Sequence, residues 1–162
     1  MHDRERRQRA VDLFNLVWRF LEKSDRKPED DETMVHAAHA SRFYWGEVGT
    51  AVNWARGDWQ ISRVYATLGR AEPALHHAER CLEVCLANPD AMEPFDLPYA
   101  YEALARAYAV GGDADQSRHY LSLARQVGER IEDADDRELL INDLDFDPEG
   151  GSGVARSRAT SA

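Results

Sequence analysis

Two histidines, His36 and His39, stand three residues apart in the stretch His36-Ala37-Ala38-His39-Ala40-Ser41-Arg42-Phe43-Tyr44-Trp45. On a helix that spacing puts both imidazoles on one face, within reach of a single metal ion. Neutral imidazole suits zinc, copper, iron or nickel, and a stable centre needs a third and usually a fourth ligand. Tyr44, His76, His77 and Glu102 are the candidates, none at a diagnostic spacing, and no His-Glu-x-x-His is present. The competing reading is a pair of histidines hydrogen-bonded within a packed interface. His77, Cys81 and Cys85 repeat every four residues, a stripe that a soft metal could use. These are the only cysteines, too few for a disulfide framework, and cysteine serves well as a small hydrophobe, so reduced, buried thiols are expected.

Spacing removes other chemistries. Ser41 lies two residues after His39, on a different helix face, which is a poor arrangement for nucleophile and base. Asp143, Asp145, Asp147 and Glu149 fail as a calcium loop because Pro148 stands where glycine is needed and Val154 where the closing glutamate belongs. Gly150-Gly151-Ser152-Gly153 follows no strand and opens no helix, so it is no phosphate cradle. No catalytic residue is assigned, and the expectation leans away from an enzyme.

What must position these residues is a set of about seven helices in one all-α domain, residues 1–144, followed by a disordered tail, residues 145–162. Val11, Leu13, Phe14, Leu16, Val17, Trp18, Phe20 and Leu21 make a strongly amphipathic first helix over 5–23. The acidic run Glu29 to Glu32 suits the N-terminus of a second helix over about 31–47. A third helix runs from Ala51 to Leu68, with Gly57 either admitting a neighbour or interrupting it. The fourth spans about 72–87 with Pro73 in its first turn. Pro89, Pro94 and Pro98 mark a connector over 88–98. Helices five and six flank Gly111-Gly112, and a short seventh over about 135–144 caps the stack.

The chain is 162 residues long with 43% hydrophobic residues, enough for one real core. Its formal charge of −10 argues against nucleic acid, whose recognition relies on a clustered basic surface. No run of about 18 apolar residues is present, and Met1 to Arg9 leads into an amphipathic helix instead of an apolar signal core. The expectation is a soluble cytoplasmic protein without a membrane partner. All but two of its 20 basic residues, Lys23 and Lys27, are arginine, a skew that suggests a GC-rich bacterial genome.

Gly69 and Gly112 each break a pair of apolar helical stripes. Tyr65 and Tyr108, Ile61 and Leu104, Ala74 and Ser117, and Cys81 and Ala124 then occupy equivalent positions around them. In this the chain resembles the tetratricopeptide repeats, helical hairpins of about 34 residues with small and aromatic residues at fixed offsets. The likeness covers 59–130. It departs where the family has tryptophan and glycine early in the first helices: Asp58 and Ser62 stand there, then Tyr101 and Ala105. The resemblance implies stacked antiparallel hairpins and a binding scaffold whose first helices line a concave groove. That groove would present Arg56, Trp59, Gln60 and Arg63 from one hairpin and Tyr99, Glu102 and Arg106 from the next, a composition typical of contact hot spots. The family's lysine and asparagine carboxylate clamp is not matched. The expected ligand is a peptide, a partner protein or a small anionic molecule, with no cofactor. The alternative is a metal-binding protein or metal-dependent enzyme using zinc or another transition metal near His36 and His39. Trp18, Phe20 and Phe43 exceed what a small bundle must bury, which raises the expectation of a homo-oligomer.

Overall fold

The structure is a computed structural model and describes residues 1–149. Among the described residues it is entirely helical: α1 (Asp3–Glu22), α2 (Pro28–Val48), α3 (Ala51–Thr67), α4 (Ala71–Ala87), α5 (Asp96–Val110), α6 (Ala114–Gly128) and α7 (Ala134–Asp143), with a turn of 3-10 helix at Pro89–Ala91. Consecutive helices pair as the hairpins α1–α2, α3–α4 and α5–α6. The hairpins stack through α2 on α3 and α4 on α5, and α7 rests on α5 and α6. None of these helices is long and apolar enough to cross a membrane.

The hairpin turns follow from two glycines. Gly69 and Gly112 adopt φ of 73° and 83°, a left-handed conformation that a Cβ disfavours. Each lets the chain turn back to satisfy carbonyls at the end of the preceding helix: Arg70 N donates to Tyr65 O and Asp113 N to Tyr108 O, both at 2.9 Å. A buried serine then ties the two helices of each hairpin. Ser62 Oγ donates to Ala74 O at 2.7 Å, and Ser117 Oγ to Ala105 O at 2.8 Å. Small residues at these four positions let the backbones come that close.

Helices α2 and α5 take in prolines that the sequence reading places in connectors. Pro28 is the first residue of α2 and Pro98 lies in the first turn of α5, where a missing N–H removes no intrahelical bond. The acidic run of α2 is spent on its entry: Lys27 N donates to Asp30 Oδ2 at 3.0 Å, Lys23 pairs with Asp30, and Arg26 with Asp31.

One large cluster threads the stack from Phe14 and Trp18 of α1 through Trp59, Tyr99, Leu104 and Leu121 to Leu140, Leu144 and Phe146. A second, around Val17, Met34, Ile61 and Val64, binds α1, α2 and α3. At about 1.5–3 kcal/mol for each large apolar side chain buried, these clusters hold the hairpins together. Trp18 is absorbed in the first and Phe20 packs on the second, so of the three aromatics that raised the oligomer expectation only Phe43 is exposed, at 64%. Phe146 falls within the expected tail, yet it is buried; packing therefore extends past residue 144. The tail from Gly150 onward lies outside the described residues.

Candidate functional site

The residues expected to line the groove do converge, but as a buried network instead of an open trough. α3 contributes Trp59 and Arg63, one turn apart, and α5 contributes Tyr99, Glu102 and Arg106 with the spacings that set them on one face. Glu102 is the centre, 1% exposed. Arg106 Nε donates to Glu102 Oε1 at 2.7 Å and Trp59 Nε1 to Glu102 Oε2 at 3.1 Å, while Arg63 Nη1 lies 3.7 Å from Oε1. One carboxylate thus holds two guanidinium groups and an indole from two hairpins. Burial and the neighbouring Arg106 lower Arg63 to about 10, which leaves it charged at neutral pH.

The end of α7 closes onto this network. Tyr99 Oη donates to Asp143 Oδ2 at 2.6 Å, and Arg106 stacks on the Phe146 ring at 4.7 Å. Asp143 is fully buried. Burial pushes its carboxyl up to about 7, and Glu102 acts in the same direction; the Tyr99 hydrogen bond, Arg63 and Arg106 oppose the shift without cancelling it. Its Oδ1 has no hydrogen-bond partner among the described residues. Beside the charges runs an aromatic floor: Trp18 lies 5.6 Å from Trp59, and Trp59 meets Tyr99 edge-on at 5.7 Å. Trp18 Nε1 also lacks a partner among the described residues. The surface where α1, α3, α5 and the end of α7 meet is called the inner face below.

Two residues from the sequence reading sit apart from this face. Gln60 points to α1, its Nε2 donating to Phe14 O at 2.9 Å, so it fastens α3 to α1 and offers nothing to a ligand. Arg56 binds Asp96 through two hydrogen bonds of 3.0 and 3.2 Å and lies over Phe95. It borders a cavity of about 20 Å³ lined also by Cys81, Cys85 and Trp59, enough for about one water molecule and far below the volume that holds a small organic ligand. Both thiols are free and buried. The hydrogen bond with Cys85 and full burial push the Cys81 thiol up, so it stays protonated, as a core hydrophobe should.

The histidines form a separate chain of contacts on α2, α3 and α4. His39 Nε2 and the Tyr65 hydroxyl share a hydrogen bond of 2.8 Å, and the His39 ring meets His77 edge-on at 5.4 Å. His77 Nδ1 and Asp58 Oδ1 share one of 2.9 Å; Arg42 Nε donates to Asp58 Oδ2 at 3.0 Å. Burial and the neighbouring His77 lower the pKa of His39. Burial would raise Asp58, but His77 and Arg42 outweigh it and hold the carboxyl below its ordinary range. His36 is exposed. Among the described residues no three histidine, cysteine, aspartate or glutamate groups are arranged to hold a metal ion. Among the described residues His77 is directed to Asp58 and Glu102 lies in the inner-face network, so neither stands with His36 and His39 as a third ligand. Ser41 is buried with its Oγ donating to Ala10 O, a structural bond.

No family model, curated protein or solved structure matches this chain. Sequence reasoning missed Asp143, Phe146 and Trp18 as members of the inner-face network. A signal for the first was present: Asp143 shares a face of α7 with Leu140, three residues earlier, and an acid on a buried helix face needs a partner.

Proposed function

We propose that this domain is a binding module whose inner face takes a carboxylate-bearing segment of a peptide or partner protein. The observation that supports this reading is the convergence of arginine and aromatic side chains from α3 and α5 around Glu102. Arg63 and Arg106, from different hairpins, both approach the Glu102 carboxylate, with Trp59 and Tyr99 beside them. Arginine presents donors in a planar fork that matches a carboxylate bidentately. Trp18, Trp59 and Tyr99 beside it offer rigid apolar area that costs little rotamer entropy on binding. The stacked hairpins are read as degenerate tetratricopeptide-like repeats, supported by the identical turns at Gly69 and Gly112 and the paired serine ties. A soluble cytoplasmic setting, with neither nucleic acid nor membrane as partner, accompanies this reading and is supported by the net charge of −10.

Trp18 and Trp59 report on the site directly. Tryptophan emission of the full chain is titrated with short acidic peptides and with their Asn and Gln counterparts. Saturable quenching by the acidic series alone, weakened in Arg63→Gln at unchanged helical circular dichroism, supports the reading. Equal response to acidic and neutral peptides, or none to either, removes it.

A further inference from the structure

We infer that His77 is a phosphoryl-accepting histidine, with Nε2 as the nucleophile and Asp58 as the residue that positions it. The site lies on α2, α3 and α4, apart from the inner face, so it is independent of the binding reading above.

The tautomer follows from the hydrogen bonds. Asp58 meets Arg42 Nε at 3.0 Å and His77 Nδ1 at 2.9 Å. Its carboxyl is held below the ordinary range, so it is ionised and can only accept. His77 Nδ1 is therefore the donor, and in the neutral imidazole Nε2 carries the lone pair. Nε2 makes no hydrogen bond among the described residues and is not sealed from solvent. His39 differs, because its Nε2 is engaged with the Tyr65 hydroxyl at 2.8 Å.

The ring is also held in orientation. It stacks on Tyr65 with centroids 6.2 Å apart and planes at 18°, and meets His39 and His76 edge-on at 5.4 and 5.0 Å. Behind it, Gly57 leaves the room that the Arg42 side chain takes up on its way to Asp58. A carboxylate that fixes one imidazole nitrogen and leaves the other open to solvent is the arrangement of a histidine nucleophile.

The surroundings choose the electrophile. Four of the six histidines of the chain, His36, His39, His76 and His77, gather on facing parts of α2 and α4, in a protein whose net charge is −10. Imidazole N–H groups beside the nucleophile suit the oxygens of a phosphoryl group. In the reaction, the Nε2 lone pair attacks the phosphorus of a phosphoramidate or an acyl phosphate. The N–P bond forms as the bond from phosphorus to the leaving nitrogen or carboxylate oxygen breaks, and that group departs with the bonding pair. The proton stays on Nδ1, and the positive charge left on the ring is met by Asp58.

The test incubates the full chain with phosphoramidate, a donor that needs no enzyme, and follows each histidine by phosphorus NMR and peptide mapping. His77 is expected to be modified at Nε2 about tenfold faster than the exposed His36 and His76. Asp58→Asn is expected to remove that preference at unchanged helical circular dichroism, and denaturing urea to remove it in wild type. Modification that simply follows exposure overturns the inference, as does phosphate on Nδ1 of His77. A folded Asp58→Asn variant that keeps the preference also overturns it. Should that variant fail to fold, the urea comparison decides, since a preference that survives unfolding belongs to the local sequence and not to the Asp58 contact. Tryptophan emission plays no part in these readouts, so the inner-face reading is tested separately.

Discussion

Glu102 cannot lose one partner at a time. With the carboxylate 1% exposed, Arg106→Ala leaves a buried charge held only by Trp59 and the more distant Arg63, and is expected to cost about 3–5 kcal/mol in urea unfolding. The double change Glu102→Gln/Arg106→Gln removes both charges and should cost less than Arg106→Ala alone. A sequence reading that places Arg63 and Arg106 on an open groove expects little loss from either, and burial reverses that expectation. Asp143 gives a pH signature. Its folded value near 7 lies above the ordinary 3.8, so its contribution to stability is complete below about 3.8 and is lost as pH rises through about 7. The urea midpoint of wild type should therefore fall between pH 5 and pH 8, and Asp143→Asn should flatten that fall. A slope unchanged by the substitution would assign the pH dependence to another group. Residue types made the arginine and aromatic cluster visible in the sequence; its burial was not, because that depends on how α7 returns.

Most helix boundaries were legible because they carry a local signal: Gly69 and Gly112 for the turns, amphipathic stripes for the bodies, Pro73 for the start of α4; Pro28 and Pro98 read equally as breakers, which hid the starts of α2 and α5. Contacts between helices were not legible. Gly57 reads equally as a break or as a close approach, and the answer lies on another element. α3 runs unbroken through it, and a Cβ there would stand 2.6 Å from Arg42 Cδ. Gly57→Ala would gain about 1 kcal/mol of helix propensity on an exposed helix. Here it should lower the melting temperature instead, because Arg42 must move and its 3.0 Å bond to Asp58 is lost. A raised melting temperature would mean that Arg42 has another rotamer at no cost. The serine ties make a paired expectation. Ser62→Ala and Ser117→Ala each delete one buried hydrogen bond to a carbonyl across a hairpin, and should destabilise by about 1 kcal/mol each, with unequal losses showing that the two hairpins differ in packing.

At the scale of the molecule, the stacked-hairpin architecture followed from periodicity, while the join between hairpins did not, since Trp59–Glu102 and Tyr99–Asp143 link residues more than 40 positions apart in sequence. The whole-chain charge bears on the same site from outside. With 30 acidic against 20 basic residues, the surface repels an acidic peptide at long range although the inner face attracts it at contact. Raising salt shortens the screening length, which is about 10 Å at 0.1 M. Association of an acidic peptide with the wild-type protein should therefore accelerate between about 20 and 150 mM salt, since screening removes long-range repulsion before it weakens buried contacts. Dissociation, governed by Arg106 and the aromatic floor, should change less. A stopped-flow series separates the two rates. Association that slows with salt would mean that the local positive field of the arginines outweighs the acidic exterior already at the encounter, and that the net charge of the chain does not govern the approach.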